Sequence, residues 1–335
     1  MWIRRISAVA ALCFSTTAVA DINLYSSRKE ALIQPLLNQF TEKTGIEVRL
    51  LTGKDDALLS RLKMEGSASP ADLLITADVA RLHRAKEMGL TQSVESTTLN
   101  SAIPANLRDS DNHWFGMTSR ARPIIYAKDR VDPAQLSSYE ALADEQWKGR
   151  ICIRSSSNVY NQSLIASAIA ANGVEATEAW VEGLVGNFAR PPAGGDTDQL
   201  KAAAAGVCDI AIANTYYLAR LVRSDKASDN AVADQLAVFW PNQNDRGTHI
   251  NISGAALTAA SKNRDEAIAL LEYMVSQEAQ QWYAEVNNEY PVVNGVESSD
   301  VLKAFGTAKS DNVALSKLGE LNQEALRLMD RAGWK

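Results

Sequence analysis

Three tyrosines carry the most informative spacing in the sequence. Asp209-Ile-Ala-Ile-Ala-Asn214 has the apolar pattern of a buried strand, and Thr215 has the side chain of a helix N-cap. Tyr216 and Tyr217 then fall on the first turn of the following helix, just past the carboxyl end of a strand. Open α/β sheets bind their ligands at that edge. Tyr160 follows the apolar segment 151–154 through the turn Ser155-Ser156-Ser157, which predicts an equivalent position. The same placement also suits ordinary aromatic packing. If the phenols converge, however, their chemistry is restrictive. A free phenol has a pKa of about 10, so ionising one at pH 7 costs about 4 kcal/mol, and three cost roughly 12 kcal/mol before repulsion. A hard, highly charged Lewis acid such as Fe³⁺ returns that cost, because a bound cation inverts the local pKa order. Ca²⁺ and Mg²⁺ prefer carboxylates and carbonyls.

Other chemistries find little support. His83, His113 and His249 are far apart, with no HExxH and no Cys-x-x-Cys, which argues against a zinc site. The chain has no P-loop, no GxGxxG after a strand and no GxSxG elbow. Gly194-Gly195-Asp196 ahead of a helix suits an anion cradle, and equally an ordinary turn with an N-cap. Ser155 to Ser157 offers hydroxyls and amides to an anion, or is simply a loop. No nucleophile–base pair points to an enzyme.

The elements that must position these side chains alternate between strand and helix. Strands are expected at 22–25, 46–51, 72–76, 123–127, 151–154, 209–214 and 252–257. Helices are expected at 30–44, around Leu58 and Leu62, from 77 to 86, and at 163–171, 177–185, 197–205 and 216–223, with 264–275, 278–286 and 313–331 closing the chain. The stretch 93–114 reads as irregular. This alternation predicts an α/β protein with mainly parallel sheets and crossover helices. The length suits two lobes, and no low-complexity linker separates them, so the lobes are expected to be woven together by several crossings around a ligand cleft.

The ends and the composition bear on location. Arg4 and Arg5, a short apolar run and Ala18-Val19-Ala20 have the layout of a cleaved secretory signal peptide over residues 1–20, with the mature chain starting at Asp21. The formal net charge of −6 argues against a nucleic-acid partner. Beyond Cys13, in the leader, the cysteines are Cys152 and Cys208. An even count in an exported chain suggests a disulfide, against the alternative of two buried thiols. Each cysteine precedes a tyrosine of interest by the same interval, so a bridge would tie together the two segments that carry the site.

Several segments together resemble the bacterial ferric-binding proteins, the periplasmic receptors of iron(III) ABC importers. They are Asn23-Leu-Tyr-Ser-Ser-Arg28, Ser69-Pro-Ala-Asp-Leu-Leu74, Trp114-Phe-Gly-Met-Thr-Ser-Arg-Ala-Arg122, Arg154-Ser-Ser-Ser-Asn-Val-Tyr-Asn-Gln-Ser163, Cys208-Asp-Ile-Ala-Ile-Ala-Asn-Thr-Tyr-Tyr217 and Asn288-Glu-Tyr-Pro-Val292. The resemblance covers essentially the whole mature chain. It implies the type II two-lobe periplasmic binding protein fold with a hinge of crossing strands. The N-terminal lobe would comprise 21–120 plus 246–295 and the C-terminal lobe 121–245 plus 296–335. It further implies that Tyr216 and Tyr217 are the paired iron ligands, that Tyr160 is the third, and that Arg120 pairs a synergistic anion, carbonate being the expected one. Ser157 and Asn214 match positions that hydrogen-bond the anion in related proteins.

Departures from the pattern matter. Where some branches carry His or His-Tyr after the first strand, this chain has Lys29-Glu30, and where some carry a Glu after the second it has Gly53-Lys54-Asp55-Asp56. The resemblance therefore points to the three-tyrosine branch, in which the C-terminal lobe holds iron and anions complete the octahedron. Glu30 or Asp55 as a substitute ligand stays open. The expected function is capture of ferric iron in the periplasm by a monomer and delivery to an inner-membrane iron(III) ABC permease, without catalysis. The alternative is an oxyanion receptor of the sulfate or phosphate type.

Overall fold

The computed structural model describes residues 21–335, so the expected signal peptide lies outside the described residues. The chain opens with β1 (Ile22–Ser26), a short helical turn at Glu30–Leu32, and α1 (Gln34–Thr44). The expected single helix over 30–44 is split because Ile33 leaves helical geometry at φ −146° and Pro35 begins the next helix. α1 buries Leu36, Leu37 and Phe40 and stops at Gly45, whose φ of 75° is the left-handed conformation glycine tolerates. β2 (Val48–Thr52), α2 (Asp55–Glu65), β3 (Leu73–Thr76), α3 (Val79–Glu87) and α4 (Thr97–Ala102) follow, the last inside the stretch expected to be irregular.

β4 (Phe115–Ala121) and β5 (Ile124–Ala127) are separated only by Arg122 and Pro123. Next come β6 (Ile151–Cys152), α5 (Val159–Asn172), α6 (Val174–Gly186), α7 (Asp196–Ala204), β7 (Ile210–Ile212), α8 (Thr215–Val222), α9 (Ala227–Asp234) and β8 (Leu236–Phe239). β9 (Ile250–Leu257) leads to α10 (Arg264–Met274) and α11 (Gln277–Trp282), which runs into a π-helical turn at Tyr283–Asn287. β10 (Tyr290–Pro291), α12 (Asp300–Ala304), α13 (Leu315–Glu320) and α14 (Asn322–Arg331) complete the chain. The last two replace the single helix expected over 313–331, the break falling at Leu321.

Two mixed sheets result, one per lobe: β10-β4-β9-β3-β1-β2 and β6-β7-β5-β8. Parallel pairing, as the strand–helix alternation implies, joins β1 to β2, β1 to β3 and β6 to β7. The remaining pairs, β10 to β4, β4 to β9, β3 to β9, β5 to β7 and β5 to β8, are antiparallel. The mainly parallel expectation thus describes the β-α-β portions, and the returning strands make the sheets mixed. β1 and β3 are buried along almost their whole length, as expected of strands covered by helices on both faces. Among the described residues no helix is long and apolar enough to cross a membrane.

The chain passes from the first sheet to the second between β4 and β5, and returns between β8 and β9. At the back of the molecule α13 packs against both α3 and α5, bridging the two lobes. Gly319 of α13 allows that approach, since a Cβ there would lie 2.4 Å from the Cβ of His83.

Candidate metal centre

The second sheet brings the tyrosine-bearing segments side by side. β6 and β7 pair in parallel, with Ile151 opposite Ile210 and Cys152 opposite Ala211. Both strands therefore end at one sheet edge, and the helices that leave them start there. A disulfide joins Cys152 to Cys208 with a Cα–Cα distance of 5.9 Å. α5 is capped by Asn158, whose side chain accepts from the Tyr160 amide, so Tyr160 sits in its first turn. α8 starts at Thr215, so Tyr216 and Tyr217 also lie in a first turn.

Thr215 is not the cap that its side chain suggested. The capping position belongs to Asn214, whose side chain is engaged elsewhere. Its amide nitrogen donates to the Tyr216 phenol oxygen at 3.1 Å, and its carbonyl oxygen accepts from Arg122 at 3.0 Å. Arg122 is fully buried and also donates to Asp196 at 2.7 Å and to Asn161 at 2.8 Å. Asp196 takes a second guanidinium from Arg154 at 2.6 Å. Removing either charge would strand the other in a dry interior, so the network fixes β6, α7 and α8 relative to one another.

Tyr160, Tyr216 and Tyr217 share one cavity of about 170 Å³. The Tyr216 and Tyr217 rings lie 4.4 Å apart, centroid to centroid. Guanidiniums surround the phenols: Arg120 lies 5.5 Å from the Tyr160 ring centroid, and Arg220 lies 4.9 Å from that of Tyr216. Burial is the largest influence on the phenols and raises all three pKa values above 10. Each phenol's neighbour raises it further, since two adjacent phenolates repel, while Arg120 pulls Tyr160 and Tyr216 back down. Left alone, the trio is neutral. Only a cation placed among the oxygens makes ionisation favourable.

Arg120 lies in β4, lines the same cavity and is 2 % exposed. One of its nitrogens donates to Ser253 at 3.1 Å, while Nε and Nη2 are buried without a partner among the described residues. Ser157 is placed differently from its sequence expectation: it is exposed, its hydroxyl is shared with Ser155 at 2.9 Å, and it does not line the cavity. Asn214 does not line that cavity; it donates to Tyr216 and lines a small neighbouring cavity with Arg120 and Tyr160. The Gly194-Gly195 turn is an N-cap, its Gly195 amide donating to Asp198 at 2.6 Å. Glu30 is exposed, and Asp55 does not itself line the cavity but accepts at 3.3 Å from the amide of Ala77, which does. Among the described residues no three His, Cys, Asp or Glu side chains form a metal-holding group.

Arg28 and Glu289 also line this cavity, and sequence reasoning gave neither a role. They are 261 positions apart, and no local signal connects them.

The model for the family described as "Bacterial extracellular solute-binding protein" matches residues 36–309. The chain belongs to that family. This solute-binding protein is 49 % identical over 315 residues to "Iron uptake protein A1" of Synechocystis sp., a match covering 94 % of this chain and 88 % of the relative. It is 55 % identical to a Trichodesmium protein solved in complex with iron and citrate, with a TM-score of 0.91 over 94 % of this chain and all of the other. A ferric binding protein from Campylobacter jejuni is 42 % identical, with a TM-score of 0.90 and the same coverage. The solute-binding protein therefore shares its two-lobe architecture with proteins that handle ferric iron.

Proposed function

We propose that this protein captures ferric iron in the periplasm and delivers it to an ABC importer of the inner membrane, with no catalytic step. One observation carries the reading: three phenols from two adjacent strand ends, Tyr216 buried and Tyr160 and Tyr217 half-buried, line a single cavity. Tyr160, Tyr216 and Tyr217 lose their protons to the metal and neutralise its charge. An oxyanion paired by Arg120 completes the coordination, and Asn214 holds Tyr216 in place. Ser157 has no part in this reading. The lobes divide as 21–120 with 246–295 and 121–245 with 296–335, the first closing over iron held by the second. The chain works as a monomer after loss of residues 1–20, and the closed form is what the permease recognises.

Relatives named for iron uptake and ferric binding support this assignment over an oxyanion receptor. A simple oxyanion site would also leave the three converging phenols without a task. The test is the visible phenolate-to-iron charge-transfer band on loading with ferric iron. The wild type should develop the band and Tyr216→Phe should lose most of it. A wild type without a band, or an undiminished band in Tyr216→Phe, refutes the reading.

A further inference from the structure

The three phenols are not anchored alike. Tyr216 and Tyr217 lie in the first turn of α8, which follows β7 of the second sheet, and Asn214 steadies Tyr216 from behind. Tyr160 lies in the first turn of α5, which follows β6 of the same sheet. One residue on, Asn161 accepts from Arg122 at 2.8 Å, within the buried network that also holds Asn214. The next two side chains reach the other lobe. Gln162 Oε1 accepts from Arg81 Nη1 at 3.3 Å, and the Ser163 hydroxyl is shared between the two carboxylate oxygens of Asp78 at 2.9 and 3.0 Å. Asp78 caps α3 and Arg81 lies in its first turn, and α3 follows β3 of the first sheet.

Both sides of this seam are set by further bonds. Asp78 also accepts from Asn251 at 2.8 Å and from the Ala80 amide at 2.9 Å, so β9 and α3 together fix it. Arg81 donates to Asp56 at 3.0 Å. Gln162 donates to the Ser156 carbonyl at 3.1 Å, in the turn that delivers the chain to Tyr160, and accepts from Asn322 of α14 at 3.2 Å. Asp78, Gln162 and Ser163 are each 3 % exposed or less, so water does not replace a bond lost between them. α8 meets the first lobe as well, but at its far end, where exposed Arg223 donates to Asn288 at 3.0 Å. A shift of α3 against the second sheet therefore acts on α5 within one turn of Tyr160. We propose that Asp78, with Arg81, is a positioning residue for Tyr160 and couples engagement of the third phenolate to the seating of the two lobes. Iron then binds first to Tyr216 and Tyr217, Tyr160 completes the set as the lobes seat, and release runs in reverse. This rests on the reading of the tyrosines as the iron site.

The test uses the full mature chain loaded with ferric nitrilotriacetate at pH 7.5. The variant is Ser163→Ala, which removes one donor to Asp78 and leaves that carboxylate its bonds from Asn251 and Ala80. It should give less charge-transfer absorbance per bound iron, moving toward the value of Tyr160→Phe, and should release iron to excess ethylenediaminetetraacetate about tenfold faster. Placed in Tyr160→Phe, the same substitution should change neither quantity, whereas a merely destabilising change would add in both backgrounds. Arg81→Met, which spares the bonds of Gln162 to Ser156 and Asn322, should act in the same direction and more weakly. The proposal is overturned if Ser163→Ala leaves absorbance and release unchanged, or if it speeds release equally with and without Tyr160. If circular dichroism shows that Ser163→Ala does not fold, Arg81→Met decides by the same comparison and the same two outcomes overturn the proposal. Absence of a band in the wild type refutes the iron reading and this proposal with it, a result separable from the others.

Discussion

The amide of Asn214 donates to the phenol oxygen of Tyr216 at 3.1 Å, and its carbonyl oxygen meanwhile accepts from Arg122. One neutral side chain thus links a candidate metal ligand to the buried ion pair behind it. The bond also fixes which lone pair of the phenol faces the cavity.

Asn214→Ala should therefore weaken iron retention without abolishing it. Losing one orienting hydrogen bond and leaving an Arg122 donor short of an acceptor should cost about 1–3 kcal/mol of stability and reduce apparent iron affinity about tenfold. Urea unfolding and competition titration of the charge-transfer band measure the two effects. Because Asn214 does not touch the metal, the band maximum should stay close to that of the wild type.

Iron uptake should be coupled to proton release. Burial and mutual repulsion hold all three phenols above their ordinary pKa, so the empty site is fully protonated at neutral pH. Loading should release about three protons per iron from the protein, and apparent affinity should fall by up to about a thousandfold for each unit of acidification. A pH-stat titration counts the protons. Release of one or fewer would contradict a three-phenolate site.

Asp78 gives a second, independent pH dependence. It caps α3, accepts from the Ala80 amide at 2.9 Å, from Ser163 at 2.9 Å and from Asn251 at 2.8 Å, and burial pushes its carboxyl up to about 6. Arg120 and Arg81 oppose that rise. The folded state thus holds the proton more tightly than the unfolded chain. Its contribution to stability is fully present below about pH 4 and is lost as pH rises through about 6, by at most about 3 kcal/mol. Wild type should accordingly exceed Asp78→Asn in stability by more at pH 4.5 than at pH 7.5. Urea midpoints at the two pH values provide the comparison.

The Cys152–Cys208 bridge spans a sequence separation of 56 residues, and in the chain-entropy picture its loss should cost about 4 kcal/mol. Cys152→Ala with Cys208→Ala should show that loss in chemical denaturation. Iron stoichiometry at low temperature should be retained, because the Arg122–Asp196–Arg154 network still registers β6 and α7.

Much of this arrangement was legible in the sequence because it is local. Tyr160, Tyr216 and Tyr217 follow strand signals directly, and strand-then-helix order fixes which edge they occupy. β4 was not legible: Thr118 and Arg120 are buried within it, so no alternation of polar and apolar residues marks the strand. Its arginine could be singled out only through resemblance. Arg28 and Glu289 meet through the closure of a sheet whose strands come from both ends of the chain. Thr215 misled because a hydroxyl at a helix start satisfies the composition of a cap, whereas backbone geometry gave that position to Asn214. Ser157 misled similarly, since a serine run says nothing about which way its hydroxyls turn.

The two-residue passage between β4 and β5 has a consequence for how such proteins diversify. Arg122 within it is tied to Asp196, Asn214 and Asn161, so this crossing resists substitution. The opposite wall also carries side chains at loop ends, Ser27, Arg28, Lys29 and Ala77, beside the strand residues Arg120 and Ser253. Substitutions at those loop ends would alter the cavity wall without replacing any of the three phenols. The two walls of one cavity thus face different constraints: one is locked by a buried ion pair, the other is set in part by residues at loop ends.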